Sequence, residues 1–190
     1  MPDNIYLGLV HYPVYDKGGD IVATAITNLD IHDIARMART YGIRRYFMIT
    51  PLETQQEMAG RVLRHWTEGT GADYNPLRKE ALSRVSVVPD LETAQQAIAA
   101  DCDGRTATVI ATTARLADDA VDYSDLRRRM AEDAGPFLVL FGTGWGMEER
   151  FLKKAHYRLK PISGPESYNH LSVRSAAAII VDRLLGDRQE

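Results

Sequence analysis

Short apolar runs and helix-patterned stretches alternate about five times along this chain, joined by brief connections. Each helix in such a pattern returns the chain to the starting end of the sheet, so consecutive strands run parallel. Strands covered by helices on both faces read as near-continuous apolar runs, as these do. The fold class is therefore α/β, a mostly parallel sheet flanked by helices. Residues 5–11, Ile-Tyr-Leu-Gly-Leu-Val-His, read as the first strand, and residues 46–50, 84–88, 105–111 and 137–141 as later ones. Residues 21–26 are also β-prone and suit either a hairpin or an extended lead-in. Helical spacing marks residues 28–42, 53–67, 90–100 and 123–134, with Asn28 or Asp30 as the first cap and Gly42 as the stop. Residues 69–76, punctuated by Gly, Asn and Pro, read as a loop. Nothing breaks the pattern as a linker or repeat would, so residues 1–190 read as one domain.

Ligands in such sheets bind beyond the carboxyl ends of the strands. Three connections fit that position: Thr50-Pro51, Thr112-Thr113 and Gly142-Thr-Gly-Trp-Gly-Met147. Three glycines in five residues let backbone approach a ligand closely and take positive φ, more than a plain turn requires. The spacing is not that of a dinucleotide fingerprint. It reads G-x-G-x-G, sits late in the chain, and no further βαβ unit supplies an acid for a ribose. No Gly-Lys-Ser/Thr follows, which excludes a Walker loop.

A second polar cluster, Tyr168-Asn-His-Leu-Ser172, opens the apolar stretch 173–185. Asn169 and Ser172 are both good helix caps. A cap needs one such residue, however, and here a Tyr, an Asn, a His and two Ser fall within nine residues. Small residues at 175–178 allow close packing against another backbone. Asp30, His32 and Asp33 have the types of metal ligands, but acids in a first helical turn are better explained by the helix dipole, and no metal is expected. Arg36 and Arg39 lie one turn apart, as solvated charges or as an RNA-facing pair. The net charge of −3 excludes a generally basic nucleic-acid binder and leaves room for local basic patches. The one cysteine, Cys102, stands between two aspartates and suits neither a disulfide nor a nucleophile. The opening Met-Pro-Asp-Asn lacks the pattern of a signal peptide, and no apolar run is long enough to span a membrane. A cytoplasmic protein is expected.

Taken in order, three stretches resemble the SPOUT class of S-adenosylmethionine-dependent RNA methyltransferases. Residues 28–42, with Arg36-Met-Ala-Arg-Thr-Tyr-Gly42, resemble its first motif. Residues 141–147 resemble the second, a strand entering a Gly-rich loop. Residues 168–178 resemble the third, an Asn/Ser cluster opening an Ala-rich helix. The wording Asp30-Ile-His-Asp33, Phe141-Gly-Thr-Gly-Trp-Gly146 and Tyr168-Asn-His-Leu-Ser-Val-Arg-Ser175 is similar to the bacterial tRNA (guanine-N1)-methyltransferase C-terminal-like group.

The resemblance implies a deep trefoil knot at the C-terminal end of the sheet and a homodimer with the active site at its interface. It implies S-adenosyl-L-methionine as cofactor, lying on three loops. These map to Thr112 and Thr113; to Gly142, Thr143, Gly144 and Gly146; and to Pro161, Ile162 and Ser163 with Tyr168, Asn169, His170, Leu171 and Ser172. A side chain at Gly144 is then expected to block the cofactor with little loss of fold. The implied partner is tRNA or rRNA, which Arg36 and Arg39 would contact. Arg36 matches the first motif's arginine but is a poor base. Glu166, Asp30 or Asp33 would supply the carboxylate, with Glu166 ranked first for its place in the knot loop. The guanine-N1 enzymes carry a further RNA-grasping domain, and this sequence ends four residues after Gly186, so the resemblance does not extend to guanine-N1 specificity. A knotted module that binds cofactor or RNA without turnover is the alternative.

Overall fold

A computed structural model describes residues 4–166 and 168–187. The chain opens with β1 (Ile5–Val10), β2 (Val14–Tyr15) and β3 (Ile21–Val22), followed by α1 (Asn28–Thr40), β4 (Arg45–Ile49) and α2 (Glu53–Thr67). Two short helices come next, α3 (Thr70–Tyr74) and α4 (Pro76–Leu82), then β5 (Val85–Val88), α5 (Leu91–Asp101) and β6 (Thr108–Thr112). The last third holds β7 (Ala120–Val121), α6 (Tyr123–Glu132), β8 (Phe137–Gly142), α7 (Glu149–Leu152), β9 (Tyr157–Leu159) and α8 (Val173–Leu185).

Seven strands form one sheet in the order β5-β4-β1-β8-β6-β9-β7, and every adjacent pair is parallel. Alternate residues of the central strands feed two separate cores. Leu7, Leu9, Met48, Val139 and Phe141 face α1, α6 and α8, packing on Ile31, Ile34, Leu126, Ala177, Ile180 and Val181. Tyr6, Val10, Phe47, Ile49, Leu138 and Leu140 face α5 and α7, packing on Leu91, Ala94, Ile98, Phe151 and Leu152. Both sides are buried, which is why the strands read as unbroken apolar runs. Residues 14–15 and 21–22 pair as the hairpin, while residues 23–27 are the extended lead-in to α1.

Three expectations are corrected. The cap of α1 is Thr27, not Asn28 or Asp30: its hydroxyl accepts from the Asp30 N–H at 3.1 Å and donates to the Asp30 carboxylate at 2.6 Å. One hydroxyl thus caps the helix and orients the acid of its first turn. The expected loop 69–76 is helical, because Asn75 caps α4 through the Arg78 N–H and Pro76 enters at its first position, where the missing N–H costs nothing. The short β7, α7 and β9 were not legible, being too brief to show a period.

Candidate functional site

The strand order decides which loops can meet. β8, β6 and β9 lie near one another in the sheet, so their carboxyl ends at Gly142, Thr112 and Leu159 open onto one edge. Thr112 is buried there and donates its hydroxyl to the Leu140 carbonyl oxygen at 2.9 Å, tying β6 to β8. Thr113 folds over at once, its hydroxyl accepting from the Arg115 N–H at 3.1 Å.

The Gly-rich loop leaves β8 through Gly142. Gly144 has φ +58 and Gly146 φ +104, conformations that side chains rarely adopt. The two differ in surroundings. A Cβ at Gly144 would lie 2.8 Å from the Tyr15 carbonyl oxygen, because the loop leans on the hairpin; one at Gly146 would meet nothing within 4 Å. Gly144→Val is therefore expected to damage the loop itself, a correction to its use as a clean block. Open space lies beside the Cα of Gly146 and of Gly164, while the Gly146 N–H donates to the Thr143 carbonyl oxygen at 3.1 Å and its carbonyl oxygen accepts from the Tyr15 N–H at 2.9 Å.

The closing loop comes to meet these. The ring of His170 lies 6.2 Å from Trp145 and 5.4 Å from Tyr168, both near edge-on, and the Asn169 side-chain amide donates to the Ala114 carbonyl oxygen at 3.1 Å. Of the two candidate caps, Ser172 caps α8, accepting from the Ser175 N–H at 3.2 Å, which leaves Asn169 for this crossing contact. Pro161 and Ile162 are half-buried, and Ser163, Tyr168, His170, Leu171 and Ser172 are exposed. The closing loop thus touches the segment after β6 through Asn169 and the Gly-rich loop through His170, and Thr112 ties β6 to β8.

The charged candidates separate. Asp30 is buried and held by Arg174 at 2.8 Å and by Thr27. Asp33 also reaches Arg174, at 3.4 Å. Glu166 is exposed and, among the described residues, makes no ion pair, so of the three carboxylates it alone is uncommitted. Arg39 is engaged by Glu80 at 2.6 Å on α4, whereas Arg36 is exposed without an ion pair among the described residues. His32 sits edge-on to Trp66, whose face carries the Arg78 guanidinium at 4.5 Å. Burial, with Arg78 next, pushes the His32 imidazole below its usual range. No group of three metal-ligating side chains occurs among the described residues, and no helix there is long and apolar enough to cross a membrane.

Arg174 was missed by sequence reasoning. A cation in a first helical turn opposes the helix dipole, and that misfit signals a carboxylate partner elsewhere.

Known proteins resemble this chain in sequence and in fold. Residues 4–186 match a sequence family described as SAM-dependent RNA methyltransferase. A tRNA (guanine-N(1)-)-methyltransferase of Oleidesulfovibrio alaskensis is 46% identical over 187 residues, covering 97% of this chain and 42% of that protein. The chain thus spans less than half the length of that relative. An uncharacterized protein of Aquifex aeolicus is 37% identical over 96% of this chain and 88% of its own length. In structure, a probable methyltransferase from Bordetella pertussis superposes with a TM-score of 0.65 at 17% identity, covering 95% of this chain and 92% of that one. The SpoU methyltransferase AviRb from Streptomyces viridochromogenes, solved with AdoMet, gives 0.55 at 15% identity over 95% of this chain and 58% of that one.

Proposed function

We propose that this chain, which belongs to the family of SAM-dependent RNA methyltransferases, transfers a methyl group to a base or ribose of tRNA or rRNA. The observation that carries the assignment of its site is the meeting of three loops at the carboxyl ends of β8, β6 and β9, linked through Trp145–His170 and Asn169–Ala114. Empty space beside the Cα of Gly146 and of Gly164 leaves room for a cofactor to lie close against the main chain. S-adenosyl-L-methionine would rest on Thr112 and Thr113, on Gly142, Thr143, Gly144 and Gly146, and on Pro161, Ile162, Ser163 and residues 168–172. When bound, it supplies an electrophilic methyl on a sulfonium.

The chain's own residues then have three tasks. The loops hold the donor in line with the acceptor, since placement alone removes much of such a barrier. Arg36 orients the acceptor nucleotide or its phosphate. Glu166 takes a proton from the acceptor where it carries one. No metal is needed for displacement at a methyl group.

Two finer features go with this reading. The first is a C-terminal trefoil knot. In its support, β9 lies between β6 and β7, so residues 113–119 hop over its carboxyl end, where the Lys160 N–H donates to the Val121 carbonyl oxygen at 3.0 Å. The chain beyond then reaches Ala114 through Asn169 before turning down as α8. The second is a cytoplasmic homodimer that brings two such loops together. Exposed large apolar side chains concentrate at this end: Tyr12, Leu29, Leu52, Leu116, Trp145, Tyr168 and Leu171.

The test is incubation with radiolabelled S-adenosylmethionine and total RNA from a strain lacking the gene. Label is expected in RNA, with Glu166→Gln lowering kcat by about 100-fold at unchanged cofactor affinity. Cofactor binding without label transfer over varied salt and magnesium would instead identify a non-catalytic module.

A further inference from the structure

A run of hydrogen bonds beneath the Gly-rich loop takes no part in the chemistry above. It starts at His11, fully buried just past the carboxyl end of β1. Its Nδ1 lies 3.0 Å from Thr24 Oγ1, Thr24 Oγ1 lies 2.5 Å from Thr143 Oγ1, and Thr143 Oγ1 lies 3.0 Å from the Val10 carbonyl oxygen. Strand, lead-in segment and Gly-rich loop are joined in one line.

Counting protons fixes its direction. A carbonyl oxygen only accepts, so the Thr143 hydroxyl donates to Val10. Thr143 then accepts from Thr24, whose single proton serves the 2.5 Å contact rather than the His11 carbonyl oxygen 3.5 Å away, and Thr24 accepts from His11 Nδ1–H. The opposite direction forfeits the bond to Val10 and leaves a buried Nε2–H without a partner. The forward direction makes three bonds and leaves only the Nε2 lone pair unmet. It needs the neutral ring with its proton on Nδ1, and burial, which lowers the imidazole pKa to about 4, keeps the ring neutral.

Thr143 stands between Gly142 and Gly144, where backbone freedom is greatest. Its side chain is the loop's side-chain anchor to β1 and to the lead-in. We propose that His11 is a positioning residue which, through Thr24, fixes Thr143 and so pre-organises the Gly-rich loop for S-adenosylmethionine. This rests on the reading that the loop binds that cofactor. A loop ordered in advance does not lose its freedom on binding, so the relay acts on affinity rather than on the chemical step.

The test is calorimetric titration of S-adenosylmethionine into the full chain and its variants. Thr24→Val and His11→Phe are expected to weaken binding about tenfold. Thr24→Ser and His11→Asn, which keep the hydroxyl and a ring-position N–H donor, stay within about threefold of the parent. The double variant Thr24→Val with His11→Phe binds no worse than either single one, because a broken line cannot be broken twice. In turnover, KM for the cofactor rises with kcat nearly unchanged, a split that general loosening of the fold does not produce. Thr24 is only half-buried, so its variants remain informative if His11→Phe fails to fold. Parent-like affinity in Thr24→Val, or additive losses in the double variant, would overturn the relay alone. A parent protein that binds no S-adenosylmethionine would overturn the cofactor reading as well.

Discussion

His11 is a buried base held neutral, and this has a cost that depends on acidity. In the unfolded chain it takes up a proton near pH 6.5, while in the fold it does so only near pH 4, since burial outweighs the opposing charge of Asp30. Between those values the unfolded state binds more protons, so stability falls as pH falls, and the loss is complete below about pH 4. The share due to His11 comes to about 3 kcal/mol. Urea unfolding at pH 7 and pH 4 should therefore show a smaller acid loss for His11→Asn than for the parent, by roughly that amount; equal losses would remove the explanation. Such behaviour was only half legible in the sequence. His11 could be read as the end of a strand, but its partners Thr24 and Thr143 are 13 and 132 residues away, a distance no local pattern bridges. Thr27 was the opposite case: the spacing Thr27-x-x-Asp30 marks a cap in the sequence itself, one residue before the equally cap-prone Asn28.

At the level of elements, α8 is attached to α1 at both ends. Arg174 holds Asp30 and Asp33 near the first turns, and the Tyr41 hydroxyl donates to Asp182 at 2.8 Å near the last. Asp30 is buried and Arg174 only partly so, and removing the cation leaves a carboxylate with Thr27 alone for company. Arg174→Ala should lower the unfolding free energy by about 2 kcal/mol, between the values for exposed and fully buried pairs. A joint Asp30→Leu, Arg174→Met variant should recover part of that loss in denaturant titration, because no charge is then stranded. Long elements with a full period, such as α2, α5 and α8, were legible almost to the residue. The helices α3 and α4 were not. Their Gly, Asn and Pro were read as loop punctuation, yet Asn75 and Pro76 serve there as a cap and a first helical residue. The same residues end one helix and begin another, and only the tertiary setting chooses. That setting includes Trp66, against which Gly71 packs with no room for a Cβ.

For the whole molecule, the homodimer proposed above would use the exposed apolar side chains at the loop end of the sheet. If the loop end is the contact, Leu116→Asp should convert a dimer to a monomer in sedimentation analysis while the melting temperature changes little, since Leu116 is 72% exposed in the single chain. RNA methylation should vanish with the dimer; a monomer that still methylates would place the active site within one chain. The α/β class was legible because it depends on the periods of the apolar residues. The order β1-β8-β6 was not, since nothing in a strand's own residues names its neighbour.

That order also sets a timetable for folding. The unit β1-α1-β4 is complete within the first 49 residues, and β5 extends it by residue 88. The other side of β1 must wait for β8, whose residues 137–142 are made much later. Until then β1 carries an open flank of unpaired backbone groups and apolar side chains such as Leu7 and Leu9. A ribosome building this chain therefore presents a half-sheet from residue 88 until residue 137 has been made, the interval in which a chaperone would find most to bind.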